Sequence, residues 1–332
     1  MTSNRLPTAV VLTHEPLEGP DRLRPALRRA GFEVVERLRD PRPEDVDADA
    51  LVVMGGPMAV YEAEQYPWLQ QEIALVRERL RADRPVLGVC LGAQILAAAA
   101  GSRVYAGDKG MVIGVQPVTL TSEGLEDPLF AGFEESFDVV HWHGDTFDPV
   151  PGSKLLASTA RYPQQAFRVG RSVGVQFHAE LGPEMYAQWL RAFPESLVKT
   201  GRDVDEAIER DLPKLERAMH PLTLLVERLA RELAPDLGAG PAERFLFTVE
   251  QANPLGGSAV VLMPGIPRRT PIVRVGDPVI LHRPDGSRVE GKVRGMASFG
   301  DTGAAIPLLV QLQDGSAVLP PGTEVLTTAS PA

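Results

Sequence analysis

Three residues of this chain carry the groups of a cysteine acyl-transfer site: a thiol, an imidazole and a carboxylate. The only cysteine in 332 residues is Cys90, inside "VLGVCLGAQILAAAAG", with Gly88 before it and Gly92 after it. A lone cysteine between apolar residues is more often a small core residue than a nucleophile. The flanking glycines change that weighing. "PVLGVC" reads as a buried strand and "LGAQILAAAAG" as a helix, so Cys90 falls on the turn between them. The glycines remove side chains that would crowd it, giving a nucleophile elbow of the form G-x-C-x-G. A thiol placed there stands at the carboxyl end of a strand, where open α/β sheets put their sites. The positive end of the following helix favours its thiolate, and the Leu91 amide is aimed where an oxyanion would form.

Such a nucleophile needs a base and a group to orient it. "VGVQFHAE" supplies both: His178 at the end of a strand over 173–178, and Glu180 two positions on. In an extended chain, residues two apart project to the same side. The carboxylate can therefore fix the imidazole tautomer and stabilise the imidazolium. Read alone, His178 is an ordinary strand-end histidine and Glu180 a solvated cap before Pro183. "MGGP" offers Gly55 and Gly56 at a strand end with open amides, or only a turn. "HWHGD" puts His141 and His143 on one strand face with Asp145 after them, which reads better as pocket wall than as a metal site, since zinc needs more ligands in a tight pattern. His14 and Glu15 follow the first strand and could line the same cleft. Trp142 and Trp189 read as packing.

The elements that must hold these residues alternate. "TAVVLT", "FEVVER", "DALVVMGG" and "PVLGVC" are strand-like, and helical patterns lie between them. This predicts a mostly parallel sheet with helices on both faces. From about 102 to 180 the pattern turns to strands, closed by the helix "PEMYAQWLRAF". Residues 201–236 read as a helical connector interrupted by Pro213 and Pro221. "DLGAGPAE" (236–243) reads as a linker. The tail, 243–330, is a run of short strands such as "GSAVVLMPG", "PIVRVGDPVILHR" and "SRVEGKVRGMASF", separated by turns, which predicts a small all-β barrel. The expected fold class is thus α/β over 1–200, then a helical segment, then the barrel.

The motifs "GVCLGAQ", "MGGP" and "QFHAE", in this order, resemble the class I glutamine amidotransferase domain. The nearest likeness is to stand-alone proteins similar to the amidotransferase half of GMP synthase, a group that includes γ-glutamyl peptide hydrolases. The likeness spans roughly residues 7–195. It implies Cys90 as nucleophile, His178 as base and Glu180 as orienting acid, with Gly56 and Leu91 giving the oxyanion amides. It also implies a glutamine pocket bordered by Gly55, Gln94, His141, His143 and Asp145. Two places depart: Ala179 stands where proline is usual, and Val112 and Val115 stand where glutamate and tryptophan are expected. The second difference bears on acceptor or substrate specificity, not on hydrolysis. The tail resembles the second domain of elongation factor Tu through its glycines and alternating strands. Fold does not transfer function, and the chain has no Walker A sequence, so an interaction or lid module is expected.

Composition sets the remaining bounds. An apolar fraction of 44% and a charged fraction of 23% describe a folded globular chain. The net charge of −10 makes nonspecific nucleic-acid binding a poor expectation. From Glu243 on there are eight basic and eight acidic residues, so the acidic excess precedes the tail. One cysteine fits a reducing compartment. The first apolar stretch is too short for a secretory signal, and no run approaches a membrane span, so a cytoplasmic protein is expected. The expected activity is ammonia release from glutamine without metal or organic cofactor. Its acceptor would be a partner synthetase, because the chain has neither a P-loop nor an SGGxDS-type loop. A γ-glutamyl peptide hydrolase working alone is the alternative, and a catalytically silent glutamine-sensing or interaction module is another.

Overall fold

The computed structural model describes residues 6–234, 244–267, 273–284, 287–296, 305–315 and 318–327. The chain divides into two compact units, Met1–Asp236 and Leu237–Ala332.

In chain order the first unit contains β1 (Thr8–Thr13), α1 (Leu23–Arg29), β2 (Glu33–Leu38), β3 (Ala50–Val53), α2 (Pro67–Arg81), β4 (Val86–Val89), α3 (Leu91–Ala99), β5 (Val104–Ala106), β6 (Val112–Leu120) and α4 (Ser122–Glu126). It continues with β7 (Ser136–His143), β8 (Asp145–Phe147), β9 (Lys154–Ser158), β10 (Ala166–Val169), β11 (Ser172–Val175), α5 (Pro183–Ala192), α6 (Pro194–Val198) and α7 (Val204–Glu232). Nine strands form one sheet in the order β2-β1-β3-β4-β11-β10-β9-β6-β7. The sheet is mixed rather than mostly parallel. The β2-to-β11 part pairs parallel, and every neighbour from β11 to β7 pairs antiparallel. Pairing sense depends on which strands meet, and the strand-rich stretch from 102 on carries no local sign of it.

The apolar runs are continuous because both faces of the sheet are covered. In β1, Ala9 and Val11 enter one core while Val10 and Leu12 enter the other. β3 splits in the same way, with Ala50 and Val52 on one side and Leu51 and Val53 on the other. Helices α1, α5 and α7 pack their apolar sides into the first core, and α2 and α3 into the second. No helix among the described residues is long and apolar enough to cross a membrane.

The segment read as an interrupted connector is a single helix, α7, that runs through both Pro213 and Pro221. It packs on α1, α5 and β7, as part of the first unit. An internal proline costs about 3 kcal/mol. Leu215, Leu222, Leu225, Val226 and Leu229 are all buried, and each is worth about 1.5–3 kcal/mol, so packing prevails over the two prolines. Asp203 caps the start by accepting from the Glu206 amide at 2.8 Å.

The second unit contains β12 (Arg244–Thr248), β13 (Gln251–Gly256), β14 (Ala259–Pro267), β15 (Pro278–His282), β16 (Arg288–Met296), β17 (Ala305–Leu312) and β18 (Glu324–Thr327). They form an antiparallel curled sheet in the order β12-β18-β15-β16-β17-β14-β13. Period-two patterning gives it a core that includes Val260, Leu262, Leu281, Val293 and Val310. Among the described residues β12 and β13 do not pair, so this is a half-barrel and not the expected barrel. Closure depends on tilt and shear, which strand patterning does not encode. The "DLGAGPAE" linker, and the parts of the predicted tail strands at 271–272 and 297–299, lie outside the described residues.

Candidate active site

His14, Gly55, Gly56, Cys90 and His178 follow the carboxyl ends of the adjacent parallel strands β1, β3, β4 and β11, whereas His141 and His143 are on β7 and Asp145 opens β8. Cys90 is the hinge between β4 and α3, with φ +53° and ψ −107°. A side chain rarely adopts positive φ, and such strain persists only where the surroundings impose it. Here they do. The Cys90 amide donates to the Val175 carbonyl at 2.8 Å, and the Gly92 amide donates to the Met54 carbonyl at 3.1 Å. A Cβ on Gly92 would strike the Val53 carbonyl, and one on Gly88 would strike the Gly92 carbonyl. The helix start is thus pressed against the strands, and only glycine fits on either side of the thiol.

His178 lies beyond β11, which ends at Val175 and not at 178. An isolated bridge to Val140 on β7 holds it, with the His178 amide donating to the Val140 carbonyl at 2.8 Å. Its Nδ1 is 2.7 Å from Glu180 Oε1, and both residues are buried. The ring meets Trp189 edge-on at 5.1 Å. Burial by itself would lower the His178 pKa. Opposing it, the Glu180 carboxylate and a side-chain hydrogen bond with Cys90 hold it well above the ordinary value. The Cys90 Sγ also lies 3.6 Å from Gln176 Nε2 and 3.7 Å from the Trp142 carbonyl.

Cys90, His178, Gly56, Leu91, Gln94, His143 and Asp145 line one cavity of about 340 Å³. The amides of Gly56 and Leu91 have no acceptor among the described residues. Two expected pocket residues, Gly55 and His141, lie outside the cavity lining. Gly55 turns its carbonyl to His14, at 2.7 Å from Nδ1. His141 is buried in the strand and lies outside the cavity lining. Gln94 borders the cavity, but its amide nitrogen donates to Gln176 Oε1 at 3.1 Å, so it supports a neighbour of Cys90. Burial pushes His141 down to about 4 and His143 to about 3, which keeps both rings neutral near pH 7. Asp145 accepts from Tyr61, whose hydroxyl is pushed up to about 12 by burial and by that carboxylate. Among the described residues no group of three His, Cys, Asp or Glu could hold a metal ion.

The structure also brings in residues that spacing does not reveal. Glu15 pairs with Arg39 and is not part of the cavity lining, whereas Glu18 is. Burial raises the Glu18 pKa, partly offset by His178 and His14. His14 pairs with Glu72, 58 positions on, with no local signal to link them. Trp142 and Trp189 pack edge-to-face at 5.7 Å and also wall the cavity.

The sequence profile of the class I glutamine amidotransferases matches residues 22–193, just over half of the chain. The chain belongs to the class I glutamine amidotransferase family. It is 35% identical over 146 residues to a putative glutamine amidotransferase-like protein, YfeJ, of Salmonella typhimurium, a match covering 43% of this chain and 61% of that protein. It is 38% identical over 142 residues to a glutamine-hydrolyzing GMP synthase subunit of Halobacterium salinarum, covering 42% of this chain and 70% of the relative. A γ-glutamyl-L-1-hydroxyisopropylamide hydrolase of a Pseudomonas species is 31% identical over 161 residues, which span 46% of this chain and 54% of that enzyme. The match therefore spans less than two thirds of two of these three relatives. Among solved structures, a glutamine amidotransferase from Thermotoga maritima superposes with a TM-score of 0.61 at 30% identity, covering 69% of this chain and 99% of its own.

Proposed function

We propose that the first unit is a Cys-His-Glu hydrolase that cleaves the side-chain amide of glutamine or of a γ-glutamyl compound. The Cys90–His178–Glu180 relay at the edge of the 340 Å³ cavity carries this reading. On it, the strained turn at Cys90 is a nucleophile elbow. His178 takes the Cys90 thiol proton, the sulfur attacks the γ-carbonyl, and the carbonyl π electrons move to oxygen. The amides of Gly56 and Leu91 donate to that oxyanion, an arrangement worth about 10²–10³ in rate per donor. The oxyanion collapses and the C–N bond breaks as His178 gives its proton to the departing nitrogen, releasing ammonia or an amine. His178 then takes a proton from water as its oxygen adds to the γ-glutamyl thioester; the second oxyanion collapses, the C–S bond breaks to release the γ-carboxyl product, and His178 returns the proton to the Cys90 sulfur. Glu180 holds the ring with Nδ1 toward itself throughout.

Two purposes fit this chemistry. In the first, ammonia passes to a synthetase on another chain, as the likeness to a glutamine-hydrolyzing GMP synthase component suggests. The second, hydrolysis of γ-glutamyl amides by this chain alone, draws on the cavity wall. Glu18, Glu62, Asp145 and Glu195 all line it, against Lys199. That acidic bias suits a leaving amine that carries positive charge. Incubating the purified chain with glutamine and, separately, with γ-glutamyl amines distinguishes them by the ratio of ammonia to amine release. No release from either substrate would overturn the hydrolase reading.

The boundary near residue 236 is proposed as a functional one, with the half-barrel as an interaction module that resembles a translation-factor domain. The first unit has its own two cores and all the residues named above. A chain ending at Asp236 is expected to fold and to keep basal glutamine turnover within about threefold of the full chain, as independent domains do. A folded but inactive truncation would make the tail part of the site.

A further inference from the structure

We propose that His14, clamped by Glu72, is a positioning residue that sets the Gly55–Gly56 peptide so that the Gly56 amide faces the Cys90 cavity. The inference rests on the oxyanion reading above. His14 follows β1 and Glu72 sits on α2, and both side chains are fully buried. Nδ1 of His14 lies 2.7 Å from the Gly55 carbonyl oxygen, and Nε2 lies 3.0 Å from Glu72 Oε2. The ring stacks on Trp68 at 5.3 Å. A carbonyl only accepts, so Nδ1 carries a proton. Nε2 faces a carboxylate, which accepts from it when the ring is imidazolium. Burial opposes that state, but Glu72 and the Gly55 carbonyl hold the His14 pKa above its ordinary value.

The peptide bond converts this anchor into an aimed donor. The Gly55 C=O and the Gly56 N–H belong to one planar trans unit and point in opposite directions. Fixing the carbonyl on His14 turns the amide away from His14. The Gly56 amide has no acceptor among the described residues, and Gly56 lines the cavity with Cys90 and His178. Neither glycine has room for a side chain. A Cβ on Gly56 would sit 2.7 Å from His14 Cβ, and one on Gly55 would sit 3.1 Å from His178 Cε1. Two consecutive glycines otherwise let a peptide rotate at little cost. Stability gives no account of the pair, because a buried ion pair is often matched or bettered by apolar residues of similar volume.

The test compares two variants of the full chain. His14→Phe/Glu72→Leu keeps a ring against Trp68, removes the donor and leaves no orphaned carboxylate. His14→Asn/Glu72→Leu restores a side-chain N–H near the place of Nδ1. With γ-glutamyl-p-nitroanilide as substrate, kcat is expected to fall about 100-fold in the first variant with KM within about threefold, and to recover at least about tenfold in the second. Alkylation of Cys90 by iodoacetamide, which forms no oxyanion, should stay within about threefold of the wild type in both. Glu72→Gln, a gentler change that keeps both side chains, should lower kcat about tenfold. Equal turnover in the two double variants, parallel loss of alkylation and turnover, or full kcat in Glu72→Gln would each overturn the positioning role. A wild type that is alkylated but turns over no γ-glutamyl substrate would overturn the hydrolase reading itself, and the role with it.

Discussion

Cys90→Ala is expected to lower turnover of glutamine and γ-glutamyl amides by about 10⁴-fold or more, the scale on which loss of a nucleophile acts in a catalytic triad. Stability should change little. Alanine meets the same positive φ that cysteine already tolerates, and only one sulfur atom leaves the edge of a cavity, so a shift of about 1 kcal/mol or less is expected. A second measurement reads the thiol directly. Since Cys90 is the only cysteine, a diazo-ketone analogue of glutamine should add one label per wild-type chain by intact mass, and none to Cys90→Ala. Undiminished turnover in the variant, with its circular dichroism and melting temperature unchanged, would sink the nucleophile assignment.

Glu180→Gln is expected to lower kcat by about 10²–10⁴-fold, because an amide can offer Nδ1 a donor and thereby favour the wrong tautomer. It should also move the pH profile. His178 is faced by Glu180 and Cys90, with Glu18, His141 and His143 nearby. Burial lowers its pKa, and the Glu180 carboxylate leads the groups that raise it. Removing that charge leaves burial less opposed, so the folded value falls. The limb of the rate profile that requires imidazolium then shifts to lower pH. Stability follows the same sign. A raised folded value contributes stability in full below the unfolded value of about 6.5, and that contribution fades as pH rises through the folded value. The stability gap between wild type and Glu180→Gln should therefore be widest near pH 6 and should narrow toward alkaline pH. Denaturant melts at several pH values measure the gap, and a gap that widens with pH would contradict the assignment of His178 as the charged partner.

What was legible in the sequence was local. Cys90 between an apolar run and an alanine-rich helix is a short-range pattern, because strand, turn and helix are decided by residues within a few positions of one another. Gly88 belongs to the same short range, since a Cβ there would meet the Gly92 carbonyl, whereas the need for glycine at 92 comes from Val53 on β3, a distant strand. His178 and Glu180 are two apart, so their contact needed only an extended chain. The alternating strands of 1–100 were legible for the same reason, and so was the period-two pattern of the tail.

Tertiary structure decided whatever depends on which segments meet. β4 and β11 are neighbours although more than 80 residues separate them, and that pairing, with the bridge from His178 to Val140 on β7, brings His178 to Cys90. The antiparallel half of the sheet, the strand order of the half-barrel and the unbroken course of α7 through two prolines likewise come from contacts between distant elements. In α7 the burial of aliphatic side chains outweighs the local preference of proline. His14 and Glu72 show the limit most plainly. Each is ordinary in its own segment, and they become a pair only because β1 and α2 bring them to within 3.0 Å in a site closed to water, where a charge must find its partner.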